Sequence, residues 1–171
     1  MRPGTQLRAA RWSKQAMQSD ADGYLVTTDP ASIDVAQVHA LLRQTYWSPN
    51  IRREVVGVAL RNSLVVVAIE RATGATVGVV RVVTDYATFA WLCDVYVAQP
   101  HRGRGLSKRM ISAAEADPRL GTLRRWCLAT RDAHGLYEQF GYGPVRPGVW
   151  MEKKLPDSNW QEPGPDQSPE R

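Results

Sequence analysis

Val95-Tyr96-Val97-Ala98-Gln99-Pro100-His101-Arg102-Gly103-Arg104-Gly105-Leu106-Ser107-Lys108-Arg109-Met110 reads as a strand, a glycine-rich turn and the start of a helix. The helix begins inside the turn, because Leu106, Met110, Ala113 and Ala114 fall at i, i+4, i+7 and i+8. Glycines at 103 and 105 let the backbone turn tightly and bring its N–H groups close to a ligand. The helix that follows points its positive end at that turn, an arrangement that suits a phosphate. Arg102, Arg104 and Lys108 add positive charge. On the turn alone, a basic surface loop that merely caps a helix is an equal reading. The spacing is not that of a P-loop, which needs Gly-Lys-Ser/Thr after four residues. Nor does the turn open an early βαβ unit, as a dinucleotide fingerprint would.

Upstream the chain reads as mixed α and β. Tyr24 to Thr27 is a short strand. Asp34 to Gln44 has Val35, Val38, Leu41 and Leu42 at helical spacing, with Ser32 or Asp34 as its cap. Tyr46-Trp47-Ser48-Pro49-Asn50 breaks the chain into a loop. Arg52 to Arg61 is a second helix, with Val55, Val58 and Ala59 as its apolar stripe. Leu64 to Ile69, Thr76 to Val83 and Phe89 to Val97 are strands, the first two joined through Gly74. In the third, Phe89, Trp91, Cys93, Val95 and Val97 share an apolar face, and Asp94 is the lone charge of the other. Downstream, the helix stops before Pro118. Leu123 to Thr130 reads as a strand, Asp132 to Phe140 as a short helix ended by Gly141, and Val149 to Leu155 as a last strand.

The 171 residues, 43% apolar and 23% charged, suit one soluble domain with a real core. The longest apolar run, Leu64 to Ile69, is too short for a bilayer. The polar, basic stretch after Met1 predicts no secretory signal, and the expected compartment is cytoplasmic. Cys93 and Cys127 lack metal-ligand spacing and read as two buried thiols; no metal is expected. Net charge is +5, with residues 1–20 at +3 and residues 156–171 at −3. The expected layout is a flexible basic tail over 1–20, one domain over 21–155, and a disordered, acidic, proline-rich tail over 156–171. The basic balance makes an anionic ligand plausible without choosing between nucleic acid and a phosphate cofactor.

Two motifs resemble the GNAT acetyltransferase superfamily. The pyrophosphate motif of that family is Gln or Arg, two residues, Gly, one residue, then Gly or Ala. Arg102-Gly103-Arg104-Gly105-Leu106-Ser107 matches it, with Ser107 at the last small position. Val95-Tyr96-Val97 followed by Pro100 matches the approach to that turn. A later family motif, Leu-Tyr-Glu, two residues, then Gly-Phe or Gly-Tyr, is matched by Leu136-Tyr137-Glu138-Gln139-Phe140-Gly141-Tyr142. The resemblance covers about residues 24–155.

It implies an α+β fold: a central, mostly antiparallel mixed sheet, flanked by helices and splayed between its fourth and fifth strands. It implies acetyl-CoA as donor, with pantetheine along Val95, Tyr96 and Val97 and pyrophosphate on Arg102, Gly103, Arg104, Gly105, Leu106, Ser107 and Lys108. An amine, on a small molecule or a protein, attacks the thioester directly in a ternary complex. Tyr137 is then the catalytic acid for the departing thiolate. The family often has Asn seven positions before this tyrosine, where this chain has Thr130. Asp94 is a candidate base, since burial beside the splay would raise its pKa; a solvent-facing carboxylate, or one paired with an arginine such as Arg125, is the equal alternative. His134 is a lesser candidate, and Glu54 and Asp85 have no further support. Tyr46 and Trp47 fall on the loop that in this family closes over the acceptor. Trp91, Trp126 and Trp150 lie on expected strands nearby; aromatics there could hold an amine by cation–π contact, and core packing is the stronger reading. Family members are often dimers, which leaves a homodimer open. The rival readings are an acyl-CoA-binding regulatory domain without catalysis and a basic nucleic-acid-binding protein. Tyr137 argues against the first, and a glycine turn that starts an amphipathic helix argues against the second. No membrane partner is expected.

Overall fold

The computed structural model describes residues 22–162. Residues 1–21 and 163–171, including the whole expected basic tail, lie outside the described residues. Five strands, β1 (Tyr24–Thr27), β2 (Leu64–Glu70), β3 (Thr76–Thr84), β4 (Phe89–Val97) and β5 (Arg125–Cys127), form one sheet in chain order. The first three pairings are antiparallel and β4–β5 is parallel. The parallel step needs a crossover, which α3 (Leu106–Glu115) supplies. Helices α1 (Val35–Leu42) and α2 (Arg53–Arg61) precede β2, and α4 (His134–Glu138) follows β5.

Helices cover the sheet on both faces. Leu64, Val66 and Ala68 of β2 pack with Leu106, Met110, Ile111 and Ala114 of α3. Val65 and Val67 pack on the opposite face with Val38, Leu41, Val56 and Leu60 of α1 and α2. A strand buried on both sides must be apolar at every position, which is why β2 is a continuous β-branched run. Asp34 caps α1, its carboxylate accepting from the N–H groups of Ala36 at 2.7 Å and Gln37 at 3.2 Å.

Four sequence expectations need correction. In α2 the buried face is Val56, Gly57 and Leu60, and Val58 is 52% exposed. Val56 and Leu60 stand one turn apart and reach the α1 side of the core. In β4 the simple alternation fails. Arg81 stands opposite Cys93 but Val79 stands opposite Tyr96, so β4 carries one extra residue against β3. Asp94 occupies this bulge with φ +53. Past it the faces exchange: Ala90, Leu92, Val95 and Val97 share the α3 side, and Tyr96 turns to the α1 side. The strand expected over Leu123–Thr130 shrinks to Arg125–Cys127. The strand expected over Val149–Leu155 does not form; Met151 is 97% exposed and Val149 and Leu155 are also exposed. Alternation there has no ladder to join, and Pro144, Pro147 and Pro156 around it lack the N–H a ladder needs.

β4 and β5 pair only from Phe89 to Trp91. β4 runs on to Val97, so the two strands part, and α4 packs near the gap.

Candidate active site

The splay opens a cleft of about 630 Å³. Val95, Tyr96 and Val97 form one wall. The turn, through Arg102, Gly103, Gly105, Leu106 and Ser107, forms its floor at one end. Leu136 and Tyr137 of α4 face it, and Tyr46 and Trp47 stand at its mouth. Residues from four separate stretches of sequence thus line one channel.

The turn is built for close approach of a ligand. Gly103 and Gly105 have φ +76 and +73, left-handed values that glycine alone adopts without strain. A Cβ at either position would meet nothing within 4 Å, so open space lies above both. Gly105 is also the N-cap of α3, and no side chain caps that helix. Its first N–H groups therefore face the cleft without a protein acceptor supplied by the cap residue. The cations divide. Arg102 donates through Nε to the Val97 carbonyl at 2.9 Å and lies 5.4 Å from the Tyr96 ring centre. Arg104 lies 5.8 Å from the centre of the Tyr24 ring. Arg104 and Lys108 do not line the cleft.

Tyr137 is buried, 9% exposed, and lines the cleft. Its ring meets Tyr142 edge-on at 6.0 Å. Burial, aided by Tyr46 and Asp132 nearby, pushes its phenol up to about 12. Among the described residues its hydroxyl has no hydrogen-bond partner. Thr130, seven residues before Tyr137, accepts from the Ala133 N–H at 3.0 Å and so closes the turn that leads into α4. His134 is exposed, one turn before Tyr137, and does not line the cleft.

Asp94 is half-buried and does not line the cleft. Its Oδ2 accepts from Arg81 Nε at 2.6 Å, and its Oδ1 accepts from the Trp47 indole at 3.2 Å. The arginine that pairs with it is Arg81 of the neighbouring strand; Arg125 belongs to β5. Asp85 is spent on its own turn, accepting from the Thr88 hydroxyl at 2.6 Å and from the N–H groups of Thr88, Ala87 and Phe89, and these bonds hold its carboxyl well below the usual range. Glu54 reaches only Arg52, at the surface. Burial pushes the Cys93 thiol up to about 12, which makes it an inert thiol beside the site. Among the described residues no His, Cys, Asp and Glu group could hold a metal ion.

Sequence reading missed Gln44, Asp132 and Leu136, which also line the cleft. It also missed Arg81. Leu136 stood inside a quoted motif; Gln44 and Asp132 carried no signal beyond adjacency to one.

A family model described as an acetyltransferase (GNAT) domain matches residues 61–144. A protein of Gibberella zeae, whose name assigns it to the acetyltransferases, is 32% identical over 133 residues, covering 67% of this chain and 75% of its own. The chain belongs to the GNAT acetyltransferase family. A solved GNAT-family structure from Xanthomonas campestris pv. campestris is 42% identical, covers 78% of this chain and 94% of its own, and superposes with a TM-score of 0.72. Glucosamine-6-phosphate N-acetyltransferase from Arabidopsis thaliana, 14% identical, shares the fold over 78% of this chain and 99% of its own at a TM-score of 0.59. The GNAT match ends at residue 144, at the point where the chain leaves the core and runs without strand structure.

Proposed function

We propose that this GNAT acetyltransferase moves the acetyl group of acetyl-CoA to a primary amine by direct attack in a ternary complex. The observation that carries the reading is the single cleft joining the Gly103–Gly105 turn, the parted edge of β4 and Tyr137. The turn fits a pyrophosphate: two left-handed glycines, space above them and an uncapped helix start. Val95 to Val97 face the splay, beyond the last β4–β5 pair, and suit an extended amide chain. Acetyl-CoA, when bound, supplies the acyl group and a thiolate leaving group. Tyr137 holds its proton at the inner end of the cleft and donates a hydrogen bond where negative charge develops on sulfur. Tyr46 and Trp47 receive the amine at the mouth, where solvent can take its proton.

Thiol release from acetyl-CoA, followed with a panel of small amines, peptide N-termini and lysine peptides, tests the reading. The expected result is acceptor-dependent release with an acetylated product by mass spectrometry. Tight acetyl-CoA binding with no release for any acceptor would favour a regulatory acyl-CoA-binding domain.

A further inference from the structure

Asp94 occupies the one left-handed position within β4, at the bulge. The extra residue turns its carboxylate toward Arg81, and the guanidinium meets it at 2.6 Å. Arg81 is held in turn: its Nη1 donates to Ser63 Oγ at 3.3 Å, at the start of β2. Burial works against the charge of Arg81, but with the Asp94 carboxylate and Cys93 beside it the guanidinium holds its proton above the ordinary value. The second carboxylate oxygen accepts from the indole of Trp47, 47 residues earlier in the chain. Trp47 has no other polar group to place. Its ring stands edge-on to Tyr46 at 4.9 Å and to Tyr96 at 6.5 Å. Tyr96 donates to Gln44 at 3.1 Å on the same loop. The mouth of the cleft is therefore an aromatic wall hung on one carboxylate that the sheet holds from behind.

Each oxygen of Asp94 accepts one hydrogen bond, from Arg81 and from Trp47, and Asp94 does not line the cleft. A carboxylate that must take a proton from a bound amine needs an open lone pair aimed at it. Asp94 has the opposite arrangement. We propose that Asp94 is a positioning residue: fixed by Arg81 at the β4 bulge, it orients Trp47 as the wall that selects the acceptor amine. This inference rests on the acetyl-transfer reading above.

Two measurements test it on the full chain. The first is the indole ¹⁵N–¹H resonance of Trp47, assigned by its loss in Trp47→Phe. It should move in Asp94→Ala and in Arg81→Gln, with the remaining tryptophan resonances in place. An unmoved resonance in a folded Asp94→Ala protein overturns the anchor, whether or not the protein has activity. The second uses the acceptor returned by the amine screen. Trp47→Phe and Asp94→Ala should each raise its KM about tenfold with kcat within about threefold, and the double variant should be no worse than either alone, because the two act as one unit. Asp94→Asn should keep the acidic limb of the kcat profile. A loss of kcat of about a hundredfold in Asp94→Asn, with KM unchanged, would make Asp94 the base instead. A wild-type protein that releases no thiol with any amine would defeat the acetyl-transfer reading, and the resonance would still decide the anchor.

Discussion

A phenol that keeps its proton to about pH 12 is a weak acid, yet it is a hydrogen-bond donor at every lower pH. Tyr137 stays neutral across the whole working range, so every bound donor molecule meets the hydroxyl and not the phenolate. Replacing Tyr137 by Phe keeps the ring against Tyr142 and removes only the donor. Acetyl-CoA affinity should hardly change, and turnover should fall roughly a hundredfold or more. Dissociation constant, melting temperature and turnover number, measured on one preparation, check this; near-normal turnover in a stable variant would remove Tyr137 from the mechanism. The same shift has a thermodynamic consequence. The unfolded phenol loses its proton near 10 and the folded one near 12. Between these values the folded state holds more protons at Tyr137, so this residue costs no stability below about pH 10 and lowers it as pH rises through the window, beside the similar effect of the Cys93 thiol, which begins near pH 9. Denaturant melts at pH 9, 10 and 11 should show this decline, and it should be shallower in Tyr137→Phe. At the turn, Gly105→Val forces a β-branched side chain into φ +73. Acetyl-CoA should raise the melting temperature of the wild type, and this substitution should abolish the rise. An undiminished rise in a folded Gly105→Val protein would move the phosphate site elsewhere. The residues with a private signature, two glycines and a tyrosine inside spaced motifs, were legible from sequence. Arg81 was not, because its meaning depends on which residue of β4 lies opposite it, and that is a matter of register.

Elements were legible where one period governs them. The core helices α1 and α3 follow a 3.6-residue repeat, and β2 and β3 are long β-branched runs. From sequence β4 reads as one unbroken alternation, with Phe89, Trp91, Cys93, Val95 and Val97 on a single face; the structure exchanges the faces past Asp94, because alternation counts residues and a bulge adds one. Val149–Leu155 alternates as a strand should, but a strand exists only with a neighbour to pair, and sequence does not state the neighbour. Close packing of α3 on the sheet makes a sharper test at this scale. A Cβ on Gly78 would meet the Met110 methyl at 2.9 Å and the Tyr96 carbonyl at 3.2 Å. The methyl can swing away; the carbonyl belongs to β4 where it lines the cleft. Gly78→Ala should lower the melting temperature by roughly 3–10 °C and weaken the acetyl-CoA response with it. A lower melting temperature with an unweakened acetyl-CoA response would mean that Met110 alone gives way and the β4 edge stays in place.

At the scale of the whole molecule, the chain past the core returns to it. Residues 143–156 run without paired structure, though Trp150 lies 6.2 Å from Trp91 of β4. The chain then reaches the loop between α1 and α2. Ile51 bridges Gln161, the Arg52 N–H donates to the Trp160 carbonyl at 3.0 Å, and the Glu162 N–H donates to the Asn50 carbonyl at 2.7 Å. Arg52 also reaches the Asn159 carbonyl, and Glu162 pairs with Arg43 at 3.6 Å. That loop carries Tyr46 and Trp47. The C-terminal segment 157–162 therefore braces the loop that carries Tyr46 and Trp47, and its hydrogen bonds and ion pair named above go to that loop, not to the Gly103–Gly105 turn. Two truncations separate these roles. A chain ending at residue 162 keeps every contact just named and should match the full chain in stability, acetyl-CoA response and turnover. A chain ending at residue 155 loses the Ile51–Gln161 bridge with its two backbone hydrogen bonds, the bond from the Arg52 side chain to Asn159, and the Arg43–Glu162 ion pair. It should keep the acetyl-CoA rise in melting temperature and show an acceptor KM raised several-fold, because only the loop side has lost support. Equal loss of both responses would mean that the segment holds up the whole fold. Unchanged kinetics in the shorter chain would leave the loop anchored from the sheet alone, through Trp47 and Asp94.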